Sequence, residues 1–260
     1  MTYLIDFLNS ISPAFVWAIL FLLCYTSIVM TFRYFGKIGL YAYIIVAVIC
    51  ANIQVLKLVQ FEVFPDPIAL GTTLFTSTFL CTDILYECYG QKAAQKGVML
   101  GFFGFLLFTL FMTLTLGFKP LTSTDQHLLW ALDMHNHMLE IFRPTPTLFI
   151  AGMFSYLLSQ HLDIFIYGAL KKITSDRFLW LRNNIASIFS CLLDSFVFSF
   201  LAFYVLAEHK IPLHSLLMTY VLGSFLLRSV IAILDTPFLY AALYFKPKEE
   251  NPNEENNVPI

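Results

Sequence analysis

The chain has 260 residues, of which 58% are hydrophobic and only 12% charged, with a net charge of −2 and 28 phenylalanines. Soluble domains carry about 25% charged residues, so half that value points to a membrane protein. The net charge says nothing about nucleic acid, but no basic cluster resembles a nucleic-acid footprint.

The five cysteines, Cys24, Cys50, Cys81, Cys88 and Cys191, all lie in or at the ends of apolar runs and form no CxxC pair. They read as small hydrophobes rather than a disulfide framework or a metal site.

The first residues, MTYLIDFLNSISP, carry an acid and no Lys or Arg before the first apolar run, which argues against a cleavable signal peptide. Apolar windows of about 20 residues then predict seven spanning helices. They cover 14–32, 38–58, 68–89, 98–116, 148–170, 185–207 and 213–245. The fold class this implies is all-α: a polytopic transmembrane bundle forming one domain over residues 1–245. Connections are short apart from 117–147, which holds Asp125, Asp133, Glu140 and three histidines. The tail, 246–260, is Pro-, Asn- and Glu-rich and is expected to be disordered in the cytoplasm.

Lys and Arg divide the loops into two sets. One carries ten: Arg33, Lys37, Lys92, Lys96, Lys171, Lys172, Arg177, Arg182, Lys246 and Lys248; the other carries four, Lys57, Lys119, Arg143 and Lys210. The positive-inside rule then puts the N-terminus outside and the C-terminus in the cytoplasm.

The last window is too long for a straight crossing. A helix of about 33 residues extends roughly 50 Å against a hydrocarbon core near 30 Å. Pro237 removes a backbone donor, so a break is expected around Asp235–Thr236–Pro237.

The third window is the chemical centre of the sequence. Residues 69–92 place Thr72, Thr76, Asp83 and Glu87 along one helical stripe. An ionisable side chain at mid-membrane depth costs roughly 2.5–3.5 kcal/mol on insertion scales, so such a stripe faces protein or a wet cavity. It reads either as a polar seam between helices or as a solute site. Asp163, Asp194 and Asp235 each follow a short polar residue within other apolar windows, making four intramembrane aspartates with Asp83. Arg228, Arg182, Lys57 and protonation are the means available to compensate them. Arg228 is expected to pair with Asp194 or Asp163.

The candidate binding residues are Asn52, Thr76, Asp83, Glu87, Gln160, Asp163, Asn184, Asp194, Arg228 and Asp235. This set of acceptors, amides and one guanidinium suits a neutral or cationic heterocycle with several N–H donors, and aromatic residues are plentiful enough to sandwich a flat ring. Asp83 is expected to accept hydrogen bonds from a ring N–H and an amine, and Glu87 to hold a cytoplasmic gate through a residue such as Arg182. His135 and His137 form an H-x-H that lacks the second ligand pair of a zinc site. No HExxH, GxSxG or P-loop occurs, so no cofactor, metal or catalytic residue is expected.

Several motifs together carry a resemblance. DILYECYGQKAAQKG at Asp83–Gly97 is similar to the D-x-L-x-E-x-YG-x-K-x-A signature of the queuosine precursor transporter family, also called the vitamin uptake transporter family. ANIQVLK at Ala51–Lys57, SQHLD at Ser159–Asp163, FLWLRNN at Phe178–Asn184, LLDSFVF at Leu192–Phe198 and ILDTPFLY at Ile233–Tyr240 extend it over nearly the whole chain after the first span. Cys191 and Arg228 depart from the family pattern. The resemblance implies a six-helix core plus one added N-terminal helix. It implies uptake of a 7-deazaguanine base, queuine or a pre-queuosine base, across a bacterial inner membrane for tRNA queuosine modification. The family is similar in architecture to vitamin-binding subunits of energy-coupling-factor importers, so an ATP-driven subunit is an alternative. An intramembrane aspartyl enzyme is a second one. Expected partners are the small-molecule base and the lipid bilayer, not nucleic acid, with a homo-oligomer or energy-coupling partners as the further alternatives.

Overall fold

The computed structural model describes residues 2–62, 67–121, 126–142, 145–207 and 212–247. The tail beyond residue 247, with most of the segment expected to be disordered, lies outside the described residues, as do Arg143 and Lys210.

The architecture is an all-α polytopic membrane bundle. A short helix α1 (Thr2–Asn9) precedes α2 (Pro13–Gln54); α3 (Gly71–Tyr89) and α4 (Gln91–Gly117) follow. Next come α5 (Leu129–Phe142), α6 (Thr145–Ile173), α7 (Leu179–Phe200), α8 (Leu213–Ser215), α9 (Leu222–Leu234) and α10 (Thr236–Tyr244). Among the described residues, five stretches are long and apolar enough to cross a bilayer. Their outward residues are apolar too, as with Leu107, Leu110, Phe111 and Leu114 on α4, which makes this surface the lipid face.

α2 is two helices in one. Its 42 residues would run roughly 63 Å if straight, but Gly36 sits at φ 54, ψ −136 inside it. A side chain would resist that conformation; glycine does not. The chain folds back there, so that Gly39 lies against the Thr31 carbonyl eight residues earlier, a contact no continuous helix allows. This turn is the division predicted between windows 14–32 and 38–58.

The second window was expected to reach residue 58, but the helix stops at Gln54. Leu58–Val59 (β1) instead pairs antiparallel with Ile68–Ala69 (β2), with Val59 opposite Ile68. The alternation Val59, Gln60, Phe61, Glu62 is a strand period that a hydropathy window averages away. Immediately after β2, Gly71 lets the α3 backbone touch the carbonyl of Ala51, where any Cβ would collide.

α3 is the axis of the bundle. Every residue from Gly71 to Leu85 is buried except Phe75, which is half-buried, because α2, α4, α6, α7, α9 and α10 all pack on it. The expected stripe is therefore a wholly enclosed helix. Its hydroxyls satisfy themselves on the preceding turn: Thr72 donates to Ala69 O at 2.8 Å, Thr76 to Thr72 O at 2.8 Å and Thr82 to Phe79 O at 2.9 Å.

Two further features depart from the expected layout. The 117–147 connection contains α5, so His135 and His137 lie on a helix, where two residues apart means roughly 200° apart around the axis. Their rings point to different sides and do not chelate one ion. After α8 the last segment continues as a π-helical stretch at Leu216–Val221, opposite a second one at Leu201–Val205 that follows α7. It is then interrupted at Asp235, which links α9 to α10 with Pro237 in the first turn of the new helix. The backbone at Asp235 stays near helical values, φ −80, ψ −18, so the interruption is a joint and not an unwound loop.

Candidate functional site

α6 carries Ser155, Ser159, Asp163, Tyr167 and Lys171 at successive intervals of four residues. Four-residue spacing puts them on one face, a polar ladder about 24 Å long. α7 packs against α6 and offers Arg182, Asn183, Ser187, Ser190 and Asp194 to the same seam. α3 supplies Thr78, Thr82, Asp83 and Glu87. The result is a polar column running along the bundle axis.

At one end the column meets a cavity of about 390 Å³ lined by Leu58, Pro67, Ile68, Leu148, Phe203 and Tyr220. The two π-helical stretches supply its last two walls, with Phe203 and Tyr220 rings 4.8 Å apart. A smaller hollow of about 40 Å³ shares Val55, Ala69, Phe198, Ser199 and Ser224 with it and adds Thr72, Ser195, Asp194 and Arg228. Together they form a vestibule whose floor is an ion pair.

That floor is Arg228 donating to Asp194, both more than nine-tenths buried. Ser155 and Ser159 of α6 donate to the other oxygen of Asp194 at 2.6 and 3.1 Å. Of the two partners expected for Arg228, Asp194 is the one found. One layer deeper, Gln160 clamps α6 to α3, its amide donating to Thr78 at 2.6 Å and its carbonyl accepting from Thr82 at 3.2 Å.

Next come three acids on three elements. Asp83 of α3 and Asp163 of α6 face one another, and Asp235 lies close by at the α9–α10 joint. All three are 0–1% exposed. Asn183 donates to Asp235 at 2.9 Å.

The far end is closed by a latch. Glu87 accepts from Arg182 at 2.8 Å and from Lys171 at 3.3 Å, and the Tyr167 hydroxyl donates to it at 3.0 Å. Arg182 also reaches that hydroxyl at 3.3 Å. The expected Glu87–Arg182 contact is present. Arg182, expected in a loop, sits inside α7 and is only 2% exposed. In the vestibule direction, Asp83 lies eleven residues along α3 from Thr72, about 16 Å.

Seven of the ten candidate residues thus join one column: Asp83, Glu87, Gln160, Asp163, Asp194, Arg228 and Asp235. The other three do not. Asn52 donates to its own helix at Val48 O and lines a separate crevice with Phe105, Phe108 and Phe149. Thr76 bonds only its own helix. Asn184 is half-buried and donates to Thr236, while its neighbour Asn183 holds Asp235. A helix turns 100° per residue, so adjacent amides face different sides and the sequence alone did not decide between them. Lys57, considered as a counter-ion, is exposed on the connection before β1. Ser155, Ser187 and Ser190 were missed as candidates; the four-residue steps Ser155–Ser159 and Ser190–Asp194 and the three-residue step Ser187–Ser190 were the available signal.

A sequence model of the family described as "Putative vitamin uptake transporter" matches residues 69–242. That range holds every residue of the column. The chain is 33% identical over 236 residues to a "Probable queuosine precursor transporter" of Bacillus subtilis (strain 168), covering 90% of this chain and 96% of the relative. A protein of the same name in Haemophilus influenzae is 26% identical over 144 residues, about half of each chain (53%). No solved structure matches the chain significantly.

Proposed function

This chain belongs to the vitamin uptake transporter family, and from that premise we propose that it imports queuosine precursors, 7-deazaguanine bases such as queuine or a pre-queuosine base, for tRNA queuosine modification. The observation that carries the reading is the continuous polar column between an open vestibule and a closed latch, on the residues the family model covers. A deazaguanine presents ring N–H and exocyclic amine donors, and the column presents mostly acceptors. The base enters the vestibule, passes the Asp194–Arg228 floor and is held at the depth of Asp83. Glu87, Arg182, Lys171 and Tyr167 close the path beyond it.

Counting the two halves of α2 separately, and taking α8 to α10 as one, gives seven crossings of the bacterial inner membrane. The basic-residue bias supports an outer N-terminus, a cytoplasmic C-terminus and therefore a vestibule that faces out. Cys88, next to Glu87 at the end of α3, reports on both the orientation and the latch. In a variant whose only cysteine is Cys88, an impermeant thiol reagent is expected to label it from the cytoplasmic face. Glu87→Gln is expected to speed that labelling several-fold, because it removes the charge that Arg182 and Lys171 share. Labelling from outside alone reverses the orientation, and an unchanged rate removes the latch.

The function itself is tested in cells unable to make pre-queuosine bases. Expression of the chain is expected to restore queuosine in tRNA at limiting external precursor, each base being supplied separately. Queuosine at the level of the empty vector with every base sinks the proposal.

A further inference from the structure

The column holds five buried or half-buried carboxyl groups and three cationic side chains. Asp194 takes Arg228, and Glu87 takes Arg182 and Lys171. Among the described residues, Asp83, Asp163 and Asp235 are left without a cation, although they are the most deeply buried acids. The other ionisable groups that face them are neutral or already engaged. From α3 these are Cys81 and Glu87, from α6 Tyr167, whose hydroxyl is bonded to Glu87, from α7 Cys191 with Asp194, and from α2 the Tyr25 hydroxyl.

Three carboxylates buried together without a counter-ion are too costly to persist, so the cluster holds protons, one of them shared by Asp83 and Asp163. Their surroundings are also unfinished. One oxygen of Asp83, one of Asp235 and both of Asp163 lack hydrogen-bond partners. Ser187 and Ser190 of α7, both 0% exposed, reach toward Asp163 with hydroxyls that have no partner. A group serving only to join helices would be saturated, as Gln160 and Asp194 are. Among the described residues no three His, Cys, Asp or Glu side chains converge to hold a metal ion. The unmet acceptors suit a proton better than a metal cation.

We infer that Asp83, Asp163 and Asp235 form the binding site of a transported proton, and that import of the base is coupled to proton entry. The inference rests on the import reading above. Asp83 and Asp163 face each other across two helices, so a proton held between them sits on one or the other. Hydrogen bonds from the base to Asp83 favour its ionised form and move the proton to Asp163. The hydroxyls of Ser187 and Ser190 serve either state of Asp163, since a hydroxyl donates and accepts. Base and proton therefore bind together. Opening of the latch releases both, and Asp163 is reloaded from outside; one proton enters and one leaves the site per cycle.

Purified protein in proteoliposomes, with membrane potential clamped, separates the possibilities. Counterflow of labelled queuine between equal pH compartments tests import alone, and its absence in the wild type overturns both readings. With counterflow established, a gradient of one pH unit, alkaline inside, is expected to concentrate queuine up to about tenfold at one proton per base. A dye trapped in the lumen is expected to report acidification when queuine is added outside. In Asp163→Asn any remaining counterflow is expected to ignore the pH gradient. Accumulation driven by a sodium gradient alone, or no accumulation with either gradient, overturns proton coupling while leaving import standing. Queuine-dependent acidification by the wild type decides the matter even where the variant fails to fold.

Discussion

Arg228→Leu is expected to lose most of its membrane-inserted protein, and uptake with it. The guanidinium pairs with Asp194 while both are more than nine-tenths buried, and Ser155 and Ser159 complete the carboxylate from α6. Removing one member of a buried pair leaves a naked charge and typically costs about 3–5 kcal/mol; removing both is far milder. A membrane protein of ordinary marginal stability does not survive the first loss unchanged. Asp194→Asn on top of Arg228→Leu is expected to recover most of the protein, because the new amide still accepts from the two serines. Asp163→Asn on top of Arg228→Leu is expected to recover nothing, since Asp163 is not the partner. Membrane levels measured by quantitative blotting and thermal stability in detergent check all three. Recovery by Asp163→Asn, or none by Asp194→Asn, contradicts the pairing.

The same pair shows how far the amino-acid sequence reaches by itself. Four aspartates inside apolar windows with one arginine among them require compensation by elementary electrostatics, and that argument reduces the partner of Arg228 to two residues. Glu87 and Arg182 are joined for a similar reason, one at the end of α3 and one just after a basic loop. The all-α membrane class follows from hydropathy, and the Gly36 turn falls in the gap between two windows.

What escaped was whatever depends on azimuth or on short-period pattern. Asn183 and Asn184 differ by 100° around α7, and only packing against the α9–α10 joint decides which one reaches Asp235. Thr76 and Thr78 are equivalent by composition, yet only Thr78 meets Gln160. The β1–β2 pair and the π-helical walls of the vestibule involve too few residues for a 20-residue window to register. Asn52 matches the motif of the resemblance but turns away from the column, so motif membership alone did not fix its role.

Asp83→Asn is the substitution that separates a binding site from a seam. The side chain is 1% exposed, faces Asp163 and has one oxygen without a partner. Asparagine has nearly the same size and keeps one carbonyl, so a protonated Asp163 still finds an acceptor opposite it. A purely structural role therefore predicts normal membrane levels and nearly normal uptake. A role in holding the base predicts something different. An ionised carboxylate offers two acceptor oxygens to a ring N–H and an amine together, whereas the amide presents donors on one side and repels them. Hydrogen bonds to a charged group contribute about 1.5–3 kcal/mol, and every 1.4 kcal/mol is tenfold in affinity. Uptake at limiting queuine is thus expected to fall at least about tenfold in a variant that inserts and melts like the wild type. Direct binding to the detergent-solubilised protein is expected to weaken by a similar factor, which places the loss in recognition and not in gating. Near wild-type uptake in a well-inserted Asp83→Asn protein takes this carboxylate out of the site and leaves it as one more contact between α3 and α6.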